Sequence, residues 1–395
     1  MRLTFLTYFK YRTLIKIMVF IIPLAIMMRV YWPQQPVAIT FTALRWDAKL
    51  DVINEQERNT IVEAMRYTHK MRKPGPPKQL ALYSMLVEKG NQQQEYLVTE
   101  SGEYFFPDGT AILPSYKLRE IFKQYADRLE RQSPFGQPMA WSEARRIFSR
   151  YTKATIEDLD TGLRFEVQRR AGNYHADVQP LTANDTAVLK EIYDGNWSWK
   201  RRAVIVEVGN TRLAASMAGM PHGAGAIRNN NFNGHFCVHF KDSTTHQTPK
   251  QPNLAHQIMV WKAAGRLPEL LAMASPEEVI EIFFTALNQQ APDICLLTLA
   301  GEPKLDDEEF RQKSREVAAL AYSVQRYDPQ TNIITVQIQL DYLAGPQNVK
   351  KELDIQMVHS LGYWWKIDPR SLTELYHDKT TANFNDLLRS EAECL

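Results

Sequence analysis

The chain has 395 residues, a formal net charge of +2 and three cysteines. The length suggests two to three domains; the near-neutral charge argues against a nucleic-acid surface, and an odd, small cysteine count excludes a dense disulfide framework. With 44% hydrophobic and 23% charged residues the composition is that of a globular protein, without repeats at a fixed period.

Residues 17–28, "IMVFIIPLAIMM", form an unbroken apolar run. Arg2, Lys10, Arg12 and Lys16 precede it, and Arg29, Tyr31 and Trp32 follow. The run has the length of a signal-peptide core, but no small-x-small cleavage site follows it. With Lys16 and Arg29 snorkelling, 14–32 is long enough to span a bilayer, with aromatic residues at the interface. The expectation is a single-pass anchor in the cell membrane. The upstream basic flank would keep the N-terminus cytoplasmic and the bulk of the chain extracytoplasmic. A buried N-terminal helix is the other reading. Residues 1–36 are thus cytoplasmic tip, signal anchor and "PQQP" stalk.

Residues 37–131 read as a small α+β domain. "VAITFTAL" is strand-like, and "NEQERNTIVEAMRYTHKM" has helical spacing, with Ile61, Ala64 and Met65 on one face. "KPGPPK" breaks the chain. "QLALYSMLVEKGNQQQEYLVTE" reads as two strands around a Gly-Asn turn, and "SYKLREIFKQYADRLE" as an amphipathic helix. "RQSPFGQP", 131–138, is a linker candidate.

Residues 138–267 read as a mostly-β domain. The helix "AWSEARRIFSRYTK" opens it, and the strand "LRFEVQRR" follows the turn "LDTG". Thr182 and Asp185 have capping-box spacing. "RRAVIVEVGNTRLAASMAG" is a hairpin turning at Gly209-Asn210. A Gly/Asn-rich loop then leads to the strand "HFCVHF" and the helix "LAHQIMVWKAAG". In "NWSWKRR", 196–202, two Trp and three cations could touch a glycan or anionic polymer; a solvated strand entry is the simpler reading. His175 and Asp177 have strand spacing and could flank a cleft, but "RRAGNYHADVQPLT" reads more simply as a polar loop with turn donors.

The last domain, 275–375, starts with Ser275 as N-cap, Pro276 at the first helical position and Glu278 closing a capping box. The long strand "NIITVQIQLDYL" and the segment ending "GYWWKIDPR" follow. Cys295, in "DICLLTL", reads as a small buried hydrophobe, and Cys394 falls in the tail, 376–395. The whole chain is expected to be α+β.

Five of the nine histidines, His222, His235, His239, His246 and His256, fall between 222 and 256, and Cys237 lies among them. On a strand, alternate side chains share a face, so His235, Cys237 and His239 point one way and Phe236, Val238 and Phe240 the other. A thiolate next to an imidazole is a nucleophile with a base at hand. His222, arriving from a separate loop, is the base candidate. The carbonyl of Gly223 would fix its tautomer. His235 completes the candidate catalytic set, with His239, Gly234, Asn233 and Arg228 assigned to substrate binding. The same residues admit a metal reading, with Zn²⁺ held by His235, Cys237 and His239 plus His222 or His246, although the spacing fits none of the common zinc motifs. A third reading is a non-catalytic scaffold with a merely buried thiol.

"PHGAGAIRNNNFNGHFCVHF" resembles the catalytic motif of the L,D-transpeptidases, the YkuD-type peptidoglycan cross-linking enzymes. Their pattern is His-Gly, a variable loop, then Ser/Thr-His-Gly-Cys, an aliphatic residue and Arg or Asn. Here His222-Gly223 matches the first element, His235 and Cys237 the His-x-Cys pair, and Val238 the aliphatic residue; the resemblance covers about 155–266. Gly234 stands where the family has Ser or Thr, Phe236 where it has Gly, and His239 where it has Arg or Asn. The resemblance implies a mostly-β catalytic domain and acyl transfer through a Cys thioester, without a cofactor or metal. The donor would be a peptidoglycan stem tetrapeptide losing its terminal D-Ala, and the acceptor a stem amine, or water. The segment 275–372 resembles the nuclear-transport-factor-like α+β cone family, which includes ketosteroid isomerases. No His/Asp pair in it is placed for catalysis, so it reads as an accessory module for a protein or ligand partner.

Overall fold

The computed structural model describes residues 37–66, 69–70, 80–100, 102–245, 251–301, 308–360 and 364–376. The apolar run at 17–28, "KPGPPK", His246, His377 and Cys394 lie outside them. The chain is a mixed α+β protein that divides into two compact units, one ending near Leu129 and the other running from Glu130 onward. Among the described residues no helix is long and apolar enough to cross a membrane.

The first unit holds a seven-stranded sheet. Its strands are β1 (Val37–Ala43), β2 (Ala48–Asp51), β3 (His69–Lys70), β4 (Ala81–Lys89), β5 (Gln92–Thr99), β6 (Tyr104–Phe105) and β7 (Ala111–Leu113), in the order β2-β1-β4-β5-β6-β7-β3. The β4–β5 hairpin turns at Gly90, whose φ of 58° suits glycine. Helices α1 (Glu55–Arg66) and α2 (Tyr116–Glu130) accompany the sheet. The apolar residues of α2, Leu118, Ile121, Phe122, Tyr125 and Leu129, recur at helical spacing and are all buried. Tyr125 stacks on Phe41 of β1 at 4.2 Å.

In the second unit, α3 (Trp141–Ile147) is followed by β8 (Lys153–Asp158), β9 (Arg164–Ala171) and β10 (Ala176–Pro180). Then come α4 (Ala183–Ile192), β11 (Arg201–Val208), β12 (Thr211–His222) and β13 (His235–His239). The six strands close into a barrel in the order β10-β13-β12-β11-β8-β9. The period of two sorts the side chains: Val204, Val206, Ala215, Met217, Phe236 and Val238 fill the interior, whereas Ala203, Ile205 and Ala214 face outward onto helix α5 (Leu254–Ala263). The helix expected over "AWSEARRIFSRYTK" stops at Ile147, because β8 claims the chain from Lys153. The expected linker is docked, not free: Gly136 donates to the Ala263 carbonyl, and Gln137 exchanges backbone hydrogen bonds with Arg212 and Ala214.

The chain continues through α6 (Leu267–Met273), α7 (Pro276–Asn288), α8 (Pro292–Thr298) and α9 (Glu308–Arg315). The antiparallel sheet β14 (Val317–Asp328), β15 (Ile333–Tyr342), β16 (Val349–Ser360) and β17 (Trp364–Ile367) follows, and then α10 (Thr373–Tyr376). The Ser275–Glu278 capping box closes on α7. One apolar core runs from the outer face of β11 and β12 through α5 and α7 into this sheet. Lys200 ties the two regions together, donating to the carbonyls of Asn288 and Ala318. Cys295 lies in α8, fully buried.

Candidate active site

The site lies on the outer face of the barrel, where β13 runs between β10 and β12. Phe236, Val238 and Phe240 are fully buried, while Cys237 on the opposite face is partly accessible. Phe236 packs against Phe165 and Phe232 inside the barrel. Cys237 therefore sits on a strand anchored by three core side chains, paired with Asp177 on β10 and Ala218 on β12.

A bulge in β12 delivers His222. Ala218 pairs with Cys237 and His222 with His235, so Gly219, Met220 and Pro221 oppose the single residue Phe236. Tyr193 braces this bulge, its hydroxyl accepting from the Gly219 N–H at 2.9 Å. A side chain at 219 would collide with the Tyr193 ring. The result places His222 Nε2 3.3 Å from the Cys237 sulfur. The other ring nitrogen, Nδ1, is 2.9 Å from the Met220 carbonyl, which makes it the protonated one. Met220, not Gly223, fixes the tautomer.

A second imidazole reaches the sulfur from the other side. His175 Nε2 lies 3.2 Å from Cys237 Sγ and 3.4 Å from an Asp177 carboxylate oxygen, and its Nδ1 lies 2.9 Å from the Thr244 carbonyl. With acceptors at both nitrogens, the imidazolium is the favoured form. Burial opposes that charge, but the Asp177 carboxylate and the Cys237 thiolate outweigh it and push the pKa up to about 10. At His222 the hydrogen bond to Cys237 also raises the pKa, against desolvation. For the thiol, burial pushes upward and the two histidines pull downward more strongly, so it ionises below its ordinary value. The arrangement is a thiol of lowered pKa held between two imidazole rings.

The remaining candidates are distributed around this centre. His235 turns away from the sulfur: its Nδ1 meets the Ala224 carbonyl at 3.0 Å, and its Nε2 is 3.9 Å from Asp177. His239 is buried beneath the site, stacked between His175 at 4.4 Å and His256 at 3.6 Å. Ser243 bonds His239 and Ser216 bonds His256, and burial holds His256 neutral. His239 therefore supports His175 from below, with no face left for a substrate. Arg228 and Asn233 are exposed on the 223–234 loop. Buried Gln179 pins that loop, donating to the Gly234 carbonyl and accepting from the N–H groups of Ala226 and Ile227. Gly234 has φ +110°, and a Cβ there would lie 2.4 Å from the His222 carbonyl oxygen. The Ser or Thr of the motif that the sequence resembles has no room at this position.

His175 is the residue that sequence reasoning ranked too low. Its spacing from Asp177 was the available signal, but nothing local marks β10 as the neighbour of β13. His175, Cys237 and His239 also bring ligand-type atoms within 4.8 Å of one another. The sequence-based metal set, centred on His235 and His239, is not what the strand assembles; His235 points elsewhere. The rings of His175 and His239 are within 20° of parallel, so an ion shared by both would lie well out of each ring plane, a poor start for tetrahedral coordination. Comparison with protein families and with curated proteins finds no match for this chain.

Proposed function

We propose that this protein is a cysteine acyltransferase of the L,D-transpeptidase type, acting on peptidoglycan stem peptides outside the cytoplasm. The observation that carries the reading is the pair of contacts at Cys237, 3.2 Å to His175 Nε2 and 3.3 Å to His222 Nε2, with the far nitrogen of each ring committed to a backbone carbonyl. Such a thiol ionises below its ordinary value and has a base in reach.

In the proposed reaction His222 holds the proton given up by Cys237, and the thiolate sulfur attacks the acyl carbonyl. The imidazolium of His175, oriented by Asp177 and Thr244, stabilises the negative charge. The tetrahedral adduct collapses as the C–N bond breaks. The leaving amine takes its proton from His222, and a thioester remains on Cys237. An acceptor amine, or water, then attacks the thioester, gives its proton to His222 and releases the thiol. The charged apolar N-terminus would tether the chain as a single-pass anchor, and the region from 275 onward would serve as a cone-like accessory module.

The test is intact-mass analysis after incubation with stem tetrapeptides. An acyl adduct on Cys237, absent from Cys237→Ala, is expected. A reactive thiol without any adduct would leave a wall-associated binding protein as the reading. The metal alternative draws its support from the proximity of His175, Cys237 and His239. Stoichiometric zinc in the purified protein, with alkylation of Cys237 blocked until a chelator is added, would favour it.

A further inference from the structure

The segment "NWSWKRR" borders the site, and its Arg201 stands out by what it lacks. Arg201 pairs in register with Ala218, Ala218 with Cys237, and Cys237 with Asp177. These four residues form one row across β11, β12, β13 and β10. All four share the outward face, since Ala203 and Ile205 on β11 and Ala214 on β12 point to α5 while the alternate residues fill the barrel. Two strand spacings, roughly 10 Å between backbones, separate Arg201 from Cys237. The only side chain between them in the row is the methyl of Ala218, and the Cys237 thiolate is among the charges Arg201 feels.

The guanidinium is half-buried and short of partners. Its Nη1 donates to the Trp199 carbonyl at 2.9 Å, and its buried Nε has no hydrogen-bond partner. No carboxylate among the described residues pairs with it. Its neighbours differ: Arg202 is bound through two nitrogens to Asp158, and Lys262 to Asp160 and Asp293. A partly desolvated cation without an anion is costly. The cost is recovered when an anion arrives from solution. Trp199, half exposed, continues the wall from Arg201 to the His222 ring, 5.0 Å away.

We infer that Arg201 forms a carboxylate-binding subsite that holds a free carboxylate of the acyl donor beside Cys237. The donor class is then narrowed to acyl compounds with a carboxylate close to the reacting carbonyl, such as peptides cleaved near their C-terminus. This inference rests on the acyl-transfer reading above, but its test does not require turnover.

The test compares alkylation of Cys237 by N-iodoacetyl-alanine and by its carboxamide, which differ only in the charge of the far group. Rates are followed by intact mass on the full chain. The ratio of the two rates is read, so any change in thiol reactivity common to both reagents cancels. Wild type should favour the acid by about tenfold, the size of one charge-assisted contact. Arg201→Met should bring the ratio near one, and Arg201→Lys should keep part of the preference. A wild-type protein that does not prefer the acid overturns the subsite, as does an Arg201→Met ratio equal to that of wild type. If stem peptides never acylate Cys237 while the ratio still collapses in Arg201→Met, the acyl-transfer reading fails and the carboxylate subsite stands.

Discussion

His175 Nε2 lies 3.2 Å from the sulfur of Cys237, although 62 residues separate them in the chain. The antiparallel pairing of β10 with β13, which sets Asp177 opposite Cys237, creates this contact. It turns a cysteine with one imidazole neighbour into a cysteine flanked by two.

The first prediction concerns that cysteine. The Cys237 pKa is depressed in the folded protein, so the reactive anion is present above the lowered value and is lost as pH falls through it. Alkylation by iodoacetamide should therefore remain fast well below the ordinary thiol range. In His175→Ala the midpoint of the rate profile should move up by at least about one pH unit, and the rate at pH 6 should fall roughly tenfold. An unchanged profile would remove His175 from the site.

Phe236 tests the strand that carries Cys237. Its side chain is fully buried between Phe165 and Phe232. Phe236→Ala should cost about 3–5 kcal/mol of stability, read from denaturant unfolding. It should not speed acylation by stem peptides. A variant as stable as wild type would mean that the side chain does not fill the barrel.

Gln179 should matter for activity more than its distance from the sulfur suggests. Its amide makes three hydrogen bonds that hold the 223–234 loop. Gln179→Leu leaves a carbonyl and two N–H groups without that partner, at about 1–3 kcal/mol each if they stay buried. Proteolysis should then cut within 223–234, and acylation of Cys237 should slow by tenfold or more. Wild-type protease resistance in this variant would contradict the pinning role.

Gly234→Ser should fail although it introduces the residue found in the motif that the sequence resembles. The added Cβ meets the His222 carbonyl oxygen at 2.4 Å, at a backbone angle that side chains rarely adopt. The expected outcome is displacement of His222, seen as a loss of acylation together with a lower melting midpoint. Full activity in Gly234→Ser would show that the loop adjusts freely.

Residues 1–36 carry a prediction of topology. A C-terminal reporter should be active only outside the cytoplasm, and the chain should keep its full mass in the membrane fraction. Release of a shortened soluble form would point to a cleaved signal instead.

What the sequence determined by itself was local. A period of two settled which residues of "HFCVHF" face the core, because alternation is a property of the strand and needs no partner. The caps at Thr182 and Ser275, and the hairpin at Gly209-Asn210, were legible for the same reason: their hydrogen bonds close within a few residues. Strand β14 was not anticipated, although it pairs with β15 across a short turn between Asp328 and Ile333; the docking of 131–138 was not either, since it depends on contacts with distant segments. Only the tertiary structure could place His175 and Arg201. Their positions relative to Cys237 follow from barrel order and register, and the local pattern of each strand is compatible with many pairings. The bulge in β12 made the last decision: three residues opposite one brought His222 onto the sulfur and left the Met220 carbonyl to hold its ring.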